Sequence, residues 1–169
     1  MYVTQPLLST HKKESFSCGK APLDKYLKQY ASQDIKRKLA VCFVLTNKEN
    51  EVLGYYTLSN ASVSRGILPD RIKKRMPPGY HDLPATLLGR IAITQSAAGQ
   101  GLGELLLLDA LKRSYDVSMH SIASMAVIVD PKDKQASRFY EKYGFITLQD
   151  SGKQFLPMKT IGKLFSNQS

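Results

Sequence analysis

The hydrophobic pattern changes period several times along the chain. Val3 to Leu8 reads as a short first strand. Leu23, Tyr26, Leu27, Tyr30, Ala31 and Ile35 then recur at i, i+3, i+4, i+7, i+8 and i+12, which predicts one apolar helical stripe. Pro22 suits the first turn of that helix and Asp24 its positive end. Residues 40–46 and 52–59 are apolar, branched runs joined by Asn47-Lys-Glu-Asn-Glu51, the pattern of an antiparallel hairpin. Residues 62–85, with Pro69, Pro77, Pro78 and Pro84, read as irregular and poorly packed around a short helix over 70–75. That insertion is basic; a substrate-facing lip and an ordinary surface loop fit it about equally.

The stretch 86–115 organises the rest. Leu87, Leu88, Ile91, Ala92 and Ile93 predict a buried strand, followed by the alternating glycines Gly99, Gly101 and Gly103. Leu102, Leu105, Leu106, Leu108, Ala110 and Leu111 predict a helix buried on most sides. Residues 124–130 form a continuous apolar strand that Pro131 ends. Asp133 can cap the next helix, Ala136, Phe139, Tyr140 and Tyr143 share one of its faces, and Gly144 is placed to stop it. Residues 145–148 and 154–160 predict two last strands, and a polar, flexible tail is expected over 163–169.

At 169 residues one domain over 1–169 is expected, with enough chain for a real core. Cys18 and Cys42 are too few for a disulfide scaffold and lack metal-site spacing, and no metal is expected. His11, His81 and His120 have no partner nearby in sequence and read as surface residues. No apolar run is long enough to span a membrane and no signal peptide is visible, so a cytoplasmic protein is expected. Charge changes the picture more. Twenty-four Lys and Arg against fourteen Asp and Glu give +10, which favours a polyanionic partner and disfavours a polycationic substrate. The densest clusters are Lys36-Arg37-Lys38 and Arg71-x-Lys73-Lys74-Arg75, candidates for contacting RNA.

A strand, a glycine turn and a helix start place free N–H groups and a positive helix end together, which suits a phosphate. A Walker loop is excluded because Glu104, not lysine, follows Gly103. A dinucleotide fingerprint is excluded by the Gly-x-Gly-x-Gly spacing and by the lack of a carboxylate around 119–124. Ala98-Gly99-Gln100-Gly101-Leu102-Gly103 resembles the pyrophosphate loop of the GCN5-related N-acetyltransferases (GNAT), departing from it at Ala98, where Gln or Arg is usual. Ala136-x-x-Phe139-Tyr140-x-x-x-Gly144-Phe145 resembles the second signature of that superfamily.

A narrower resemblance covers nearly the whole chain. Phe16-x-Cys18-Gly19-x-x-x-Leu23-Asp24-x-Tyr26-Leu27, Gly54-Tyr55-Tyr56-Thr57-Leu58-Ser59, Leu88-Gly89-Arg90-Ile91-Ala92 and Leu156-Pro157-Met158-Lys159-Thr160 are similar to the TacT- and AtaT-like acetyltransferase toxins. Val129-Asp130-Pro131 departs from that family, which more often has Asp-Ala there.

The resemblance implies a mixed α/β GNAT fold: a mostly antiparallel sheet of six to seven strands, splayed at its middle and flanked by about four helices. It implies acetyl-CoA as co-substrate, held by Ile91, Ala92 and Ile93 along the strand, by residues 98–103 at the pyrophosphate, and by Ser137 and Phe139. Tyr140 is then the general acid, and Arg90 joins the basic clusters as an RNA contact. The implied reaction is acetylation of the α-amino group of aminoacyl-tRNA, which blocks translation. The implied partner is a ribbon-helix-helix antitoxin that reaches operator DNA through the complex; whether the chain forms a homodimer stays open. Two other readings also stay open: an acetyltransferase acting on a small amine or a protein N-terminus, and a non-catalytic nucleic-acid-binding module. The sequence signal for the last is Ala98, and weak salt dependence would mark an acceptor without phosphates. Without a base near the signatures, an α-amino acceptor, titrating near 8, fits better than a lysine.

Overall fold

Seven strands carry the fold in the computed structural model, which describes residues 1–166. They are β1 (Gln5–Pro6), β2 (Val41–Thr46), β3 (Val52–Ser64), β4 (Asp82–Ile93), β5 (Ala126–Val129), β6 (Ile146–Thr147) and β7 (Gln154–Pro157), in the sheet order β1-β2-β3-β4-β5-β7-β6. The β1–β2, β2–β3, β5–β7 and β6–β7 pairings are antiparallel; β4–β5 is parallel, in register at Thr86↔Val127 and Leu87↔Ile128. The helices are α1 (Ala21–Lys25), α2 (Ala31–Lys36), α3 (Asp70–Lys73), α4 (Leu102–His120), α5 (Lys134–Lys142) and α6 (Met158–Ser166). The chain forms two compact units, one of Met1–Ser59 with Leu88–Arg113 and one of Asn60–Leu87 with Ser114 onward.

In the first unit the expected stripe is present with a change of phase. A π turn over Tyr26–Tyr30 joins α1 to α2 and adds a residue to the repeat. Tyr26, Leu27 and Ala31 therefore face the core, and Tyr30, expected on the stripe, is 44% exposed. The core joins these three to Leu7, Phe16, Cys42, Val44, Val52, Tyr55 and Ala92. Tyr55 stacks on Tyr26, meets Phe16 edge-on and donates its hydroxyl to the Leu23 carbonyl at 2.7 Å. The hairpin is as expected: Asn47 Oδ1 accepts the Glu49 and Glu51 N–H groups, and Asn50 takes the left-handed conformation.

A partly buried ion pair fastens the segment before β1 to α4. Asp109 accepts the Val3 N–H at Oδ1 (2.7 Å), and at Oδ2 the hydroxyls of Tyr56 (2.7 Å) and Thr4. Arg113, one turn further, donates to Tyr56 Oη and to the Thr4 carbonyl. Its guanidinium lies 3.8 Å from the Tyr2 ring centre and 3.9 Å from that of Phe43.

In the second unit Val63, Leu68, Leu83, Ala85, Ala126, Ile128, Leu148 and Phe155 form the core. The stretch 62–85 is more ordered than its prolines suggest. β3 continues to Ser64, β4 starts at Asp82, and Ile67, Ile72 and Met76 of the connection pack on that core. Arg65 holds the connection together by donating to the carbonyls of Lys73, Met76 and Pro77. Asp133 caps α5 by accepting the Ala136 N–H at 2.8 Å, and Gly144 (φ +93°) ends it, both as expected.

Other expectations need correction. Met158–Ser166 is a helix, where a strand end and a polar tail were predicted: Met158 and Ile161 are buried, a period the Gly162-Lys163 polar text hides. Residues 167–169 of that tail lie outside the described residues. Helix α4 is buried along one face, not most: Leu106, Leu107, Ala110 and Leu111 are inside, while Leu105, Val117 and Met119 are exposed. His11 is buried, because its Nδ1 accepts the Leu8 N–H at 2.9 Å and closes a turn; His81 and His120 are exposed as expected.

The packing sets the outcome of two measurements. Asp109→Ala leaves half-buried Arg113 without its carboxylate, and Val3, Thr4 and Tyr56 without an acceptor, so urea unfolding should show a loss of about 3–5 kcal/mol. Burial pushes the Cys42 thiol up to about 12 and also raises Cys18, whose Asp24 neighbour adds to the effect. At pH 8 the Cys42 thiolate fraction is then roughly one in ten thousand, and iodoacetamide should label Cys42 only after denaturation.

Candidate active site

Strand β4 delivers the glycine loop at its C-terminal end. Thr94 Oγ1 accepts the Ser17 N–H at 3.1 Å, and the Gln95 N–H donates to the Ser17 carbonyl at 2.7 Å, so the strand end is tied on both sides of the turn. A 3-10 turn over Gln95–Ala97 follows, then exposed Ala98, Gly99, Gln100 and Gly101, then α4. Gly99 (φ +78°) and Gly101 (φ +74°) are in the left-handed region, and a Cβ on either would meet only open space. It is therefore the torsion that demands glycine here, and the open space leaves the backbone accessible to a ligand. The N–H groups of Leu102, Gly103 and Glu104 have no helical carbonyl to reach; the first ladder bond is Leu105 N–H to Gly101 O. These groups, with the positive helix end, suit an anion.

Beneath the loop, Gly54 of β3 admits close approach. A Cβ there would stand 2.5 Å from Ile93 Cδ1 and 2.8 Å from Leu106 Cδ1. Ala92 is buried and Ile91 and Ile93 half-buried; all three lie past Leu87, where the ladder of β4 with β5 has its last registered pair.

Arg90 is half-buried, its guanidinium 3.5 Å from the Tyr26 ring centre. The Tyr26 hydroxyl donates to Asp34 Oδ2 at 2.8 Å, and burial raises its pKa above the ordinary phenol range. Arg90 is thus held flat on a fixed ring, a geometry that lysine would not reproduce. Lys36, Arg37 and Lys38 are exposed in the same unit. In the second unit Arg71, Lys74 and Arg75 are exposed, whereas Lys73 is half-buried and donates to the Gly66 carbonyl at 3.3 Å. Of the residues predicted to contact RNA, Lys73 is thus partly engaged in holding its own loop.

The second unit carries Tyr140 on α5. Its ring is 6% exposed, packed against Phe139 and Phe145 at 5.3 and 5.2 Å between ring centres. Its hydroxyl makes no hydrogen bond among the described residues, and burial raises its pKa, so the proton is retained at neutral pH. Phe139 is half-buried between Tyr140 and Tyr143. Ser137 donates from Oγ to Glu141 Oε1 at 3.4 Å. Glu104 and Glu141, the acids nearest the two motifs, are both exposed.

Sequence reasoning missed Gln154. Its side chain is 1% exposed on β7, and Nε2 donates toward Ser137 O, Ser137 Oγ and Glu141 Oε1 at 3.2, 3.1 and 3.3 Å. Its Oε1 is buried without a partner, a situation that costs about 1–3 kcal/mol. The available signal is a glutamine opening the apolar run Phe155-Leu156-Pro157. Among the described residues no three His, Cys, Asp or Glu side chains group as a metal site.

The geometry is shared with known proteins. The Acetyltransferase (GNAT) family matches residues 7–145. A protein of Mycobacterium tuberculosis named tRNA-acetylating toxin is 34% identical over 131 residues, 78% of this chain and 76% of that protein. The structure of AtaT complexed with acetyl-methionyl-tRNAfMet superposes with a TM-score of 0.88 at 28% identity, covering 98% of this chain and 99% of that one. A tyrosine-to-phenylalanine mutant of the toxin AtaT, bound to the C-terminus of the antitoxin AtaR and acetyl-CoA, gives 0.81 at 25% identity, covering 96% and 97%. The matched span takes in the whole glycine loop and α5 with its tyrosine, and on that ground the chain belongs to the GNAT family of acetyltransferases.

Proposed function

We propose that this chain is an acetyl-CoA-dependent toxin that acetylates the α-amino group of aminoacyl-tRNA and so blocks translation. The observation that carries the reading is the likeness to AtaT with acetylated methionyl-tRNA, which extends over nearly the full length of both chains. A net charge of +10 supports an RNA-linked acceptor. Partners in this reading are a ribbon-helix-helix antitoxin and, through it, operator DNA; a homodimer is a further state of the same protein, and the cytoplasm its compartment. Among the described residues no helix is long and apolar enough to cross a membrane.

Bound acetyl-CoA supplies the acetyl group as a thioester whose sulfur departs with negative charge. The open loop of Gly99 and Gly101 and the free N–H groups of Leu102, Gly103 and Glu104 suit its pyrophosphate. Main-chain donors give most of this grip, so Ala98 weakens it without removing it. The edge of β4 at Ile91–Ile93 offers main-chain groups to an extended arm, as an added strand would use them. Ser137 and Phe139 line the same co-substrate.

Tyr140 holds a proton on an unpartnered hydroxyl and donates it toward the departing sulfur. The acceptor needs to be neutral, and an α-amino group near 7.7–8.0, lowered by the ester, supplies that form without a protein base. The rate should therefore rise with pH to about 8 as the amine deprotonates. It should show no falling limb in the ordinary tyrosine range, because burial raises the Tyr140 pKa beyond it.

The test of the reading is transfer of labelled acetyl from acetyl-CoA to a pool of charged tRNAs, with uncharged tRNA and free amino acids alongside. Label confined to charged tRNA is the expected result; label on free amines alone, or on nothing, overturns it. In the same assay Tyr140→Phe should keep the fold and acetyl-CoA affinity and lose about 10²- to 10⁴-fold in turnover. Full turnover by that variant would remove Tyr140 from the chemistry. Neutralising Lys36, Arg37 and Lys38, or Arg71, Lys74 and Arg75, should raise KM for charged tRNA alone. For each phosphate no longer neutralised, the salt slope should fall by about 0.7–0.9, read from KM at several ionic strengths.

A further inference from the structure

Gln154 is an anomaly in a well-satisfied core. It pairs through its backbone with Val129 of β5 and Thr147 of β6, so its side chain starts from the interior of the sheet. Three acceptors converge on one NH₂ group: the Ser137 carbonyl, the Ser137 hydroxyl and the Glu141 carboxylate. The orientation of the amide is set by this arrangement. A flipped amide would aim its oxygen at a carbonyl and a carboxylate, two groups without a proton to give. The oxygen is instead turned away and left without a partner. A methionine of similar volume would fill the space and bury no polar atom. A polar side chain with one orphaned end is thus retained for what its other end holds, which is one turn of α5. Ser137 and Glu141 bracket that turn, and Tyr140 lies on it.

We propose that Gln154 is a positioning residue, whose amide ties the Ser137–Glu141 turn of α5 to β7 and so fixes the Tyr140 hydroxyl for acetyl transfer. The inference rests on the role given to Tyr140 above. It assigns Gln154 no contact with substrate; its action is through the helix.

Gln154→Met separates positioning from structure. With the orphaned oxygen removed, the melting temperature should stay the same or rise. Turnover should fall about ten- to a hundredfold, more than any change in KM for acetyl-CoA. Amide exchange over residues 134–142, followed by mass spectrometry, should quicken. Gln154→Glu adds an independent pH readout. Charged, its carboxylate faces Glu141 and the Ser137 carbonyl; protonated, it can donate as the amide does. Val129 and Thr147, its register neighbours, bring no charge. The turnover of Gln154→Glu relative to wild type should therefore climb as pH falls from 8 to 6. Met-variant turnover equal to wild type, or a flat Glu-variant ratio, overturns the proposal. If wild type itself transfers no label to any charged tRNA, the aminoacyl-tRNA reading fails separately. Exchange over 134–142 then decides this one: unchanged protection in Gln154→Met refutes it, and faster exchange supports it.

Discussion

The partly buried pair Asp109–Arg113 is the constraint on which the first unit depends. Asp109 satisfies three donors from the N-terminal segment and β3, while Arg113 is sandwiched between two rings and returns hydrogen bonds to Thr4 and Tyr56. Buried ion pairs add little net stability by themselves. The gain is geometric. Helix α4 begins at the glycine loop, so whatever fixes its rotation also fixes the direction of the free N–H groups at its start. The hydrophobic drive that buries Leu106, Leu107, Ala110 and Leu111 has no direction, whereas a network of directed bonds has one.

The same logic runs through the other arginines. The charge total suggests a surface laid out for a polyanion, yet Arg113, Arg90 and Arg65 are each engaged within the chain: one between rings, one flat on Tyr26, one on three carbonyls. Lysines and arginines at 36–38, 71 and 74–75 remain exposed. Planar, always-charged guanidinium serves fixed internal geometry, and flexible exposed cations serve diffuse attraction. The balance of +10 is thus a mixture of two uses, and only the exposed part bears on a partner.

The local parts of this fold were legible in the sequence. Gly99, Gly101 and Gly144 sit where their torsions require glycine, Asp133 caps where its spacing predicts, and Asn47 closes the hairpin it borders. What stayed hidden depends on long-range partners. The π turn that rotates Tyr30 outward answers to Tyr55 and Phe16, on other elements. His11 is buried in a four-residue turn, Leu8 to His11, that no sequence motif announces. Arg65 reads like one more surface cation because main-chain carbonyls carry no side-chain signature, and Gln154 like an ordinary strand residue because its helix partners are distant in sequence. Of the candidate site, the motif residues were visible and the group that braces them was not.

Arg65 has a consequence for how this molecule can change over generations. It grips the connection between β3 and β4 entirely through main-chain carbonyls, those of Lys73, Met76 and Pro77. Every amino acid supplies such a carbonyl, so outside Ile67, Ile72 and Met76, which pack on the core, the side chains along this loop can be exchanged while its shape persists. A scaffold with one fixed anchor can take on changes at its outer surface without being refolded each time.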